Sequence, residues 1–246
     1  MDTRYFSIVG YSGSGKTSLI EKIVKFLVNK SYKVGVIKSM HHSGFGIDIK
    51  DKDTTKYGNA GAVLISYIAP ESSGIIYKKE KQQIKIFKLI ENEVDYVILE
   101  GFTKIDFIPQ IALIKDKDDV KKFVNNNTVG INSYHIDVKD NNLYIDSEKI
   151  PELVEKLAYP HIPLLNCKKC GYNSCADFYQ NFLKGNTDLN NCVVRNNDDI
   201  KVHINDKIIP LNKFASKMIK NTIKGVLKSL TRSDDIISDI EIKIKL

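Results

Sequence analysis

Gly10-Tyr11-Ser12-Gly13-Ser14-Gly15-Lys16-Thr17 fits the pattern G-x-x-x-x-G-K-[ST], the phosphate loop of nucleotide-binding proteins. Successive backbone N–H groups must turn inward onto phosphate oxygens there, and a side chain at Gly13 or Gly15 would obstruct that approach. Lys16 has the reach for β- and γ-phosphates, and the Thr17 hydroxyl is placed to ligate Mg²⁺. The helix that starts here aims its positive end at the bound anion. The nucleotide-binding set read from this stretch is Gly10, Ser12, Gly13, Ser14, Gly15, Lys16, Thr17 and Ser18. Tyr5 to Val9 reads as a short buried strand before the loop, and Ser18 to Asn29 carries apolar residues at helical spacing after it. Strand, loop and helix are therefore in the order the motif requires.

The 246 residues, 42% of them hydrophobic, can bury one large core or a main core with an appendage. Apolar runs such as Gly61 to Ile65 and Tyr96 to Leu99 are far too short to span a bilayer, and the N-terminus enters a strand at once. A cytoplasmic protein without a membrane partner is expected. The net charge of +7 suits anionic ligands. Its lysines are scattered and do not interleave with aromatics, which argues against nucleic acid as a partner.

Lys33 to Lys38 is rich in β-branched residues and should be a second strand, joined to the first by the helix as a parallel βαβ unit. The polar stretch from Ser39 to Thr54 leaves that strand's carboxyl end, where ligands gather in open α/β sheets, and carries His41, His42, Asp48, Asp51 and Asp53. Its carboxylates, Asp48 among them, could orient Mg²⁺ or its waters; the bland reading is a solvated loop. Ala62 to Ile65 looks like another buried strand. Gly74 to Tyr77 and Ile84 to Phe87 are shorter candidates, the latter alternatively opening a helix through Ile90.

Val94 to Thr103 is an apolar strand ending in an acid, the pattern of a Walker B strand. Glu100 at its tip would face Thr17 across the Mg²⁺ site, holding a metal-bound water or polarising an attacking one, and with Lys16 it makes the expected catalytic pair. The alternative is an acid that merely ends a strand. Gln110 to Ile114 and Thr128 to Ile131 complete the sheet, with a connecting helix over Lys117 to Val124. Residues 1–158 thus read as an α/β domain of P-loop NTPase type, a mostly parallel sheet flanked by helices.

Several motifs in order carry a resemblance: the phosphate loop, Ile37-Lys38 followed by His41-His42 and Phe45, Lys52-Asp53-Thr54 leading to Ala60-Gly61-Ala62, and Leu99-Glu100-Gly101-Phe102. Together, over about residues 3 to 157, they resemble the MobB family, P-loop proteins of molybdenum cofactor maturation. The resemblance implies a GTP-binding adaptor with weak GTPase activity that docks on the guanylyltransferase attaching GMP to molybdopterin. It also implies a nucleotide contact at Asp53 and a homodimer. Ser39 and Lys56 stand where the family usually has histidine and arginine, and Lys is not an equivalent bidentate phosphate ligand. An Asn-Lys-x-Asp guanine signature is missing; Lys115-Asp116-Lys117-Asp118 is a loose substitute.

Past Ile150-Pro151 the character changes. Pro151 to Ala158 reads as a closing helix, Tyr159 to Pro163 as a linker, and residues 159–246 as a small α+β module. All four cysteines fall here, as Cys167-x-x-Cys170-x-x-x-x-Cys175 and then Cys192. Such clustering points to a shared ligand, and a cytoplasmic setting disfavours disulfides. Four thiolates suit Zn²⁺ or an iron–sulfur cluster. The bunched spacing, with Gly171, Ala176, Phe178 and Gly185, resembles the small [4Fe–4S] domain of corrinoid iron–sulfur proteins and of some archaeal-type MobB proteins. That resemblance favours [4Fe–4S], with Zn²⁺ as the alternative. A helix over Ala176 to Leu183, a hairpin over Ile200 to Ile209, a helix over Leu211 to Leu230 and a strand over Asp239 to Leu246 complete the module.

Two further function classes remain open on the sequence. A metabolite kinase would need an acceptor hydroxyl beside the γ-phosphate, and an ATP-driven iron–sulfur or metal carrier would hold its cargo at Cys167 to Cys192.

Overall fold

The computed structural model describes residues 3–40, 56, 57, 59–77, 83–90, 93–103, 105, 107–160, 165–194, 200, 202–204, 207–209, 211 and 213–229. Its contacts group the chain into two units, Met1–His161 and Ile162–Leu246. The first unit holds β1 (Arg4–Gly10), α1 (Lys16–Asn29), β2 (Val34–Lys38), β3 (Leu64–Ile68), β4 (Ser73–Tyr77) and α2 (Gln83–Ile90). Then follow β5 (Tyr96–Glu100), β6 (Gln110–Leu113), α3 (Asp119–Phe123), β7 (Thr128–Asn132), α4 (Ile150–Leu157) and β8 (Tyr159–Pro160).

Five strands pair in parallel in the order β2-β5-β1-β6-β7, and β8 joins β1 antiparallel. Tyr159 and Pro160, read as linker from the sequence, therefore belong to the sheet of the first unit, opposite Tyr5 and Arg4. The first two strands are parallel as expected, but β5 lies between them, so the acid at its tip is next to the phosphate loop's own strand.

The period-two alternation of β1 sorts its side chains onto two faces. Phe6 and Ile8 point to one face with Tyr96, Ile98, Ile111 and Leu113, where Leu19, Ile23 and Leu27 of α1 and Ile150 and Val154 of α4 cover them. On the other face Val9, Ala112, Ile114 and Ile131 meet Phe123 of α3. There too Tyr5, Val97 and Leu99 pack with Phe87 and Ile90 of α2. This is a helix–sheet–helix sandwich. Each fully buried aliphatic side chain contributes about 1.5–3 kcal/mol, so Leu19, Ile20, Ile23 and Leu27 anchor the helix on whose first turn the phosphate loop depends.

One further sequence expectation changes and one open alternative is decided. Ala62 to Ile65 does not form a core strand: among the described residues β3 pairs only with β4, in a separate two-stranded antiparallel sheet, and Val63, Leu64 and Ile68 are exposed. Burial of Ile65 alone satisfies the apolar run. Ile84 to Phe87 resolves as helix within α2, because Phe87 and Ile90 reach the sheet at helical spacing.

The second unit contains α5 (Cys175–Leu183), a short 3-10 turn at Leu189–Asn191, strands β9 (Val202–Ile204) and β10 (Lys207–Ile209) paired as a hairpin, and α6 (Lys213–Lys228). Ser174 caps α5 by accepting the Asp177 N–H at 3.0 Å. The strand expected over Asp239 to Leu246 lies outside the described residues.

Candidate functional site

The phosphate loop closes between the end of β1 and the start of α1. Gly10, Gly13 and Gly15 all have positive φ, and Gly15 caps α1 in the left-handed conformation at φ 92°. Neither Gly10 nor Gly15 has room for a side chain. A Cβ on Gly10 would sit 2.5 Å from the Leu113 carbonyl oxygen, and one on Gly15 would sit 2.5 Å from the Tyr134 ring. Ser14 is fully buried and its hydroxyl has no hydrogen-bond partner among the described residues, while Thr17 and Ser18 are exposed at the mouth of the loop. A cradle of this shape, with a free buried hydroxyl and amide donors at a helix start, fits a phosphate group.

Lys16 folds back over the loop, its ammonium donating to the Gly10 carbonyl at 3.0 Å and the Tyr11 carbonyl at 2.6 Å. Burial pushes its pKa down; Glu100 opposes this, and Lys38 and Lys115 reinforce it. Three ammonium groups and one carboxylate thus act on one small volume. Glu100, 7% exposed, stands in register with Ile8 of β1 on one side and Lys38 of β2 on the other, and Lys38 forms an ion pair with it at 3.1 Å. The chain then turns at Gly101, φ 81°.

Loops beyond β6 and β7 supply contacts that the sequence did not announce. Lys115 donates to the Ser12 carbonyl at 3.4 Å, the His135 Nε2 lies 3.0 Å from the Gly13 carbonyl, and Tyr134 covers Gly15. Tyr11, inside the motif, accepts from Lys122 at 2.6 Å and packs edge-on against Phe123. In the loose guanine substitute, Asp116 is occupied in accepting the Asp118 and Asp119 N–H groups, and buried Asp119 accepts the Lys115 N–H at 2.8 Å. Only adjacency to β6 and β7 in an α/β sheet could have signalled these residues. Asp48 and Asp53, with His41, His42 and Asp51, lie outside the described residues.

In the second unit Cys167, Cys170, Cys175 and Cys192 line one cavity, walled by Leu165, Phe178, Val193 and Val194. Burial pushes the Cys175 thiol up; the Asn166 N–H opposes this and the other three cysteines reinforce it. Among the described residues no three His, Cys, Asp or Glu side chains gather closely enough to hold a single metal ion. Four soft donors around an apolar hollow fit an iron–sulfur group.

Comparison with known proteins agrees. The family model "Molybdopterin guanine dinucleotide synthesis protein B", MobB, matches residues 5–133. The chain belongs to the MobB family. A Methanocaldococcus jannaschii relative, named "Putative molybdopterin-guanine dinucleotide biosynthesis adapter protein", is 33% identical over 236 residues, covering 94% of each chain. The MobB relative of Haemophilus influenzae, a "Molybdopterin-guanine dinucleotide biosynthesis adapter protein", is 34% identical over 110 residues, or 43% of this chain and 60% of its own. The crystal structure of Bacillus subtilis MobB superposes with a TM-score of 0.52 at 21% identity, covering 64% of this chain and 99% of that one, which establishes the MobB fold. A second model, "Putative Fe-S cluster", matches residues 162–194 and so takes in all four cysteines. Among the described residues no helix is long and apolar enough to cross a membrane.

Proposed function

We propose that this MobB protein is a GTP-binding adapter of molybdopterin guanine dinucleotide synthesis in the cytoplasm, holding GTP with Mg²⁺ in the first unit and a [4Fe–4S] cluster in the second. The observation that carries the nucleotide reading is the placement of Glu100 on the strand next to β1, beside a glycine cradle and the Lys16 ammonium. Backbone amides of Gly13 to Ser18 and the Ser14 hydroxyl bind the phosphates, Lys16 bridges the outer pair, and Thr17 and Glu100 orient Mg²⁺ or its water, with Asp48 and Asp53 completing the set. The product named for the family contains GMP, which makes GTP the nucleotide to test first.

Hydrolysis is slow on this reading. Glu100 is paired with Lys38, which weakens it as a base toward water. The adapter therefore works by presenting nucleotide to a guanylyltransferase that joins GMP to molybdopterin.

For the cysteines, four thiols lining one apolar cavity suit either a cluster or Zn²⁺, and the match of residues 162–194 to a family model named for an Fe-S cluster supports [4Fe–4S] over Zn²⁺. A homodimer is supported by the β3–β4 hairpin, whose outward face carries Leu64, Ile68 and Ile75, all exposed.

Titration calorimetry of GTP and ATP with Mg²⁺, on wild type and Lys16→Ala, tests the central claim. GTP should bind more tightly than ATP, and Lys16→Ala should lose roughly 10- to 100-fold in affinity, the weight of a charge-assisted bond to phosphate. Unchanged affinity in Lys16→Ala would sink the proposal. Co-elution with the guanylyltransferase, dependent on GTP, tests the adapter role.

A further inference from the structure

Asn166 and Cys175 are bound to each other twice. The Asn166 backbone N–H donates to the Cys175 Sγ at 3.3 Å, and the Cys175 backbone N–H donates to the Asn166 Oδ1 at 2.8 Å. The pair closes the loop that carries Cys167 and Cys170, joining the residue just before it to the first residue of α5. Asn166 adopts a left-handed conformation, φ 47°, as do Lys168 at 58° and Gly171 at 85°. For a residue with a Cβ that conformation costs on the order of 1–2 kcal/mol, and asparagine tolerates it better than most. The strain is held because it turns the Asn166 N–H toward the sulfur while the carboxamide engages the start of the helix.

We infer that Asn166 is the positioning residue of the cysteine centre: it fixes the Cys175 sulfur and, through its N–H···S hydrogen bond, raises the reduction potential of the group held there. The inference deepens the iron–sulfur reading of this cavity and rests on it. An N–H donor withdraws electron density from a ligating sulfur, and that favours the more electron-rich, reduced state. Cys175 receives this bond as the first residue of α5.

Replacement of the side chain separates the roles. Asn166→Gly keeps the left-handed backbone but removes the acceptor that anchors Cys175, so the N–H is no longer locked onto sulfur. Asn166→Asp keeps an acceptor in place and adds negative charge beside the centre. Full-length protein, purified anaerobically, is analysed for iron and sulfide, titrated for reduction potential and timed for iron release to a chelator. Both variants are expected to shift the potential to more negative values; Asn166→Gly should also release iron several-fold faster, and Asn166→Asp at nearly the wild-type rate. Asn181→Ala removes side-chain bonds of the same unit, to the Asp177 carbonyl and from Asn186, away from the cavity. It should leave the potential unchanged. A wild-type potential in both Asn166 variants, or an equal shift in Asn181→Ala, overturns the inference while leaving the cluster reading intact. Wild-type protein that binds zinc and no iron overturns both, so the two failures are distinguishable.

Discussion

The Lys38 ammonium stands 3.1 Å from the Glu100 carboxylate, and the register of β2 with β5 sets the two residues directly side by side at the mouth of the phosphate loop. Glu100 is buried while the Lys38 side chain is 53% exposed, so the pair is half screened by solvent. Lys38→Met should lower the stability of the nucleotide-free protein by about 1 kcal/mol or less. A double-mutant cycle with Glu100→Gln in urea unfolding checks this: coupling is expected, and strict additivity refutes it. In the proposed Mg²⁺ site Lys38 would compete with the cation for the carboxylate, so Lys38→Met should also reduce the Mg²⁺ concentration needed for half-maximal nucleotide binding.

Burial lowers the Lys16 pKa, with Glu100 opposing and Lys38 and Lys115 adding to the shift. A lysine with a depressed folded-state pKa penalises folding where it is charged, and stability rises as pH climbs through that pKa, since the unfolded chain binds more protons. Nucleotide binding runs the other way, because phosphate favours the charged form. Above the lowered pKa and below the usual lysine value, GTP binding should take up a proton and weaken with rising pH. Calorimetry in buffers of different ionisation enthalpy reads this uptake directly, and Lys16→Arg should lack it.

Gly15→Ala faces both a left-handed backbone and the Tyr134 ring. The backbone part alone costs about 1–3 kcal/mol. Adding Tyr134→Ala should recover the steric part and leave the conformational part, so the double variant regains some thermal stability but not all. Full recovery would show that the φ angle is immaterial there.

Cys192→Ser should lower the iron content several-fold and bleach the visible absorption of the anaerobic protein. GTP affinity should stay within about twofold of wild type, since every group of the phosphate site belongs to the first unit. A large loss of GTP binding would mean that the cysteine centre shapes the nucleotide site.

Ile68 is 90% exposed on the outward face of the β3–β4 hairpin. Ile68→Lys should shift the protein toward monomer in light scattering at micromolar concentration, with the circular dichroism spectrum unchanged. An unaltered mass, or a wild type that is already monomeric, removes the hairpin from any dimer.

The phosphate loop, the acid-tipped strand and the four cysteines were legible because each is a local pattern whose chemistry dictates residue type and spacing. Glycines where amides must approach phosphate, a carboxylate ending an apolar run, and thiols bunched within a short window need no knowledge of distant contacts. The helices α1, α3 and α4 were equally readable, since their apolar periodicity is set by the face each must bury, whereas α2 was left open between strand and helix. The role of Ala62 to Ile65 was not legible: an apolar run has the same composition whether it enters a central sheet or folds into an outlying hairpin with one buried isoleucine.

What the sequence alone determined is therefore the glycine-rich loop with its following helix and the bunched thiols, each written within a short stretch of chain. Only the tertiary structure decided that β5 lies between β1 and β2, which puts Lys38 against Glu100, and that β6 and β7 follow on the other side of β1, where Tyr134 and His135, just past β7, reach the glycines. The reason is that strand order and register are set by how whole faces of the sheet pack against helices on both sides, a property of the assembled layers that no local stretch encodes.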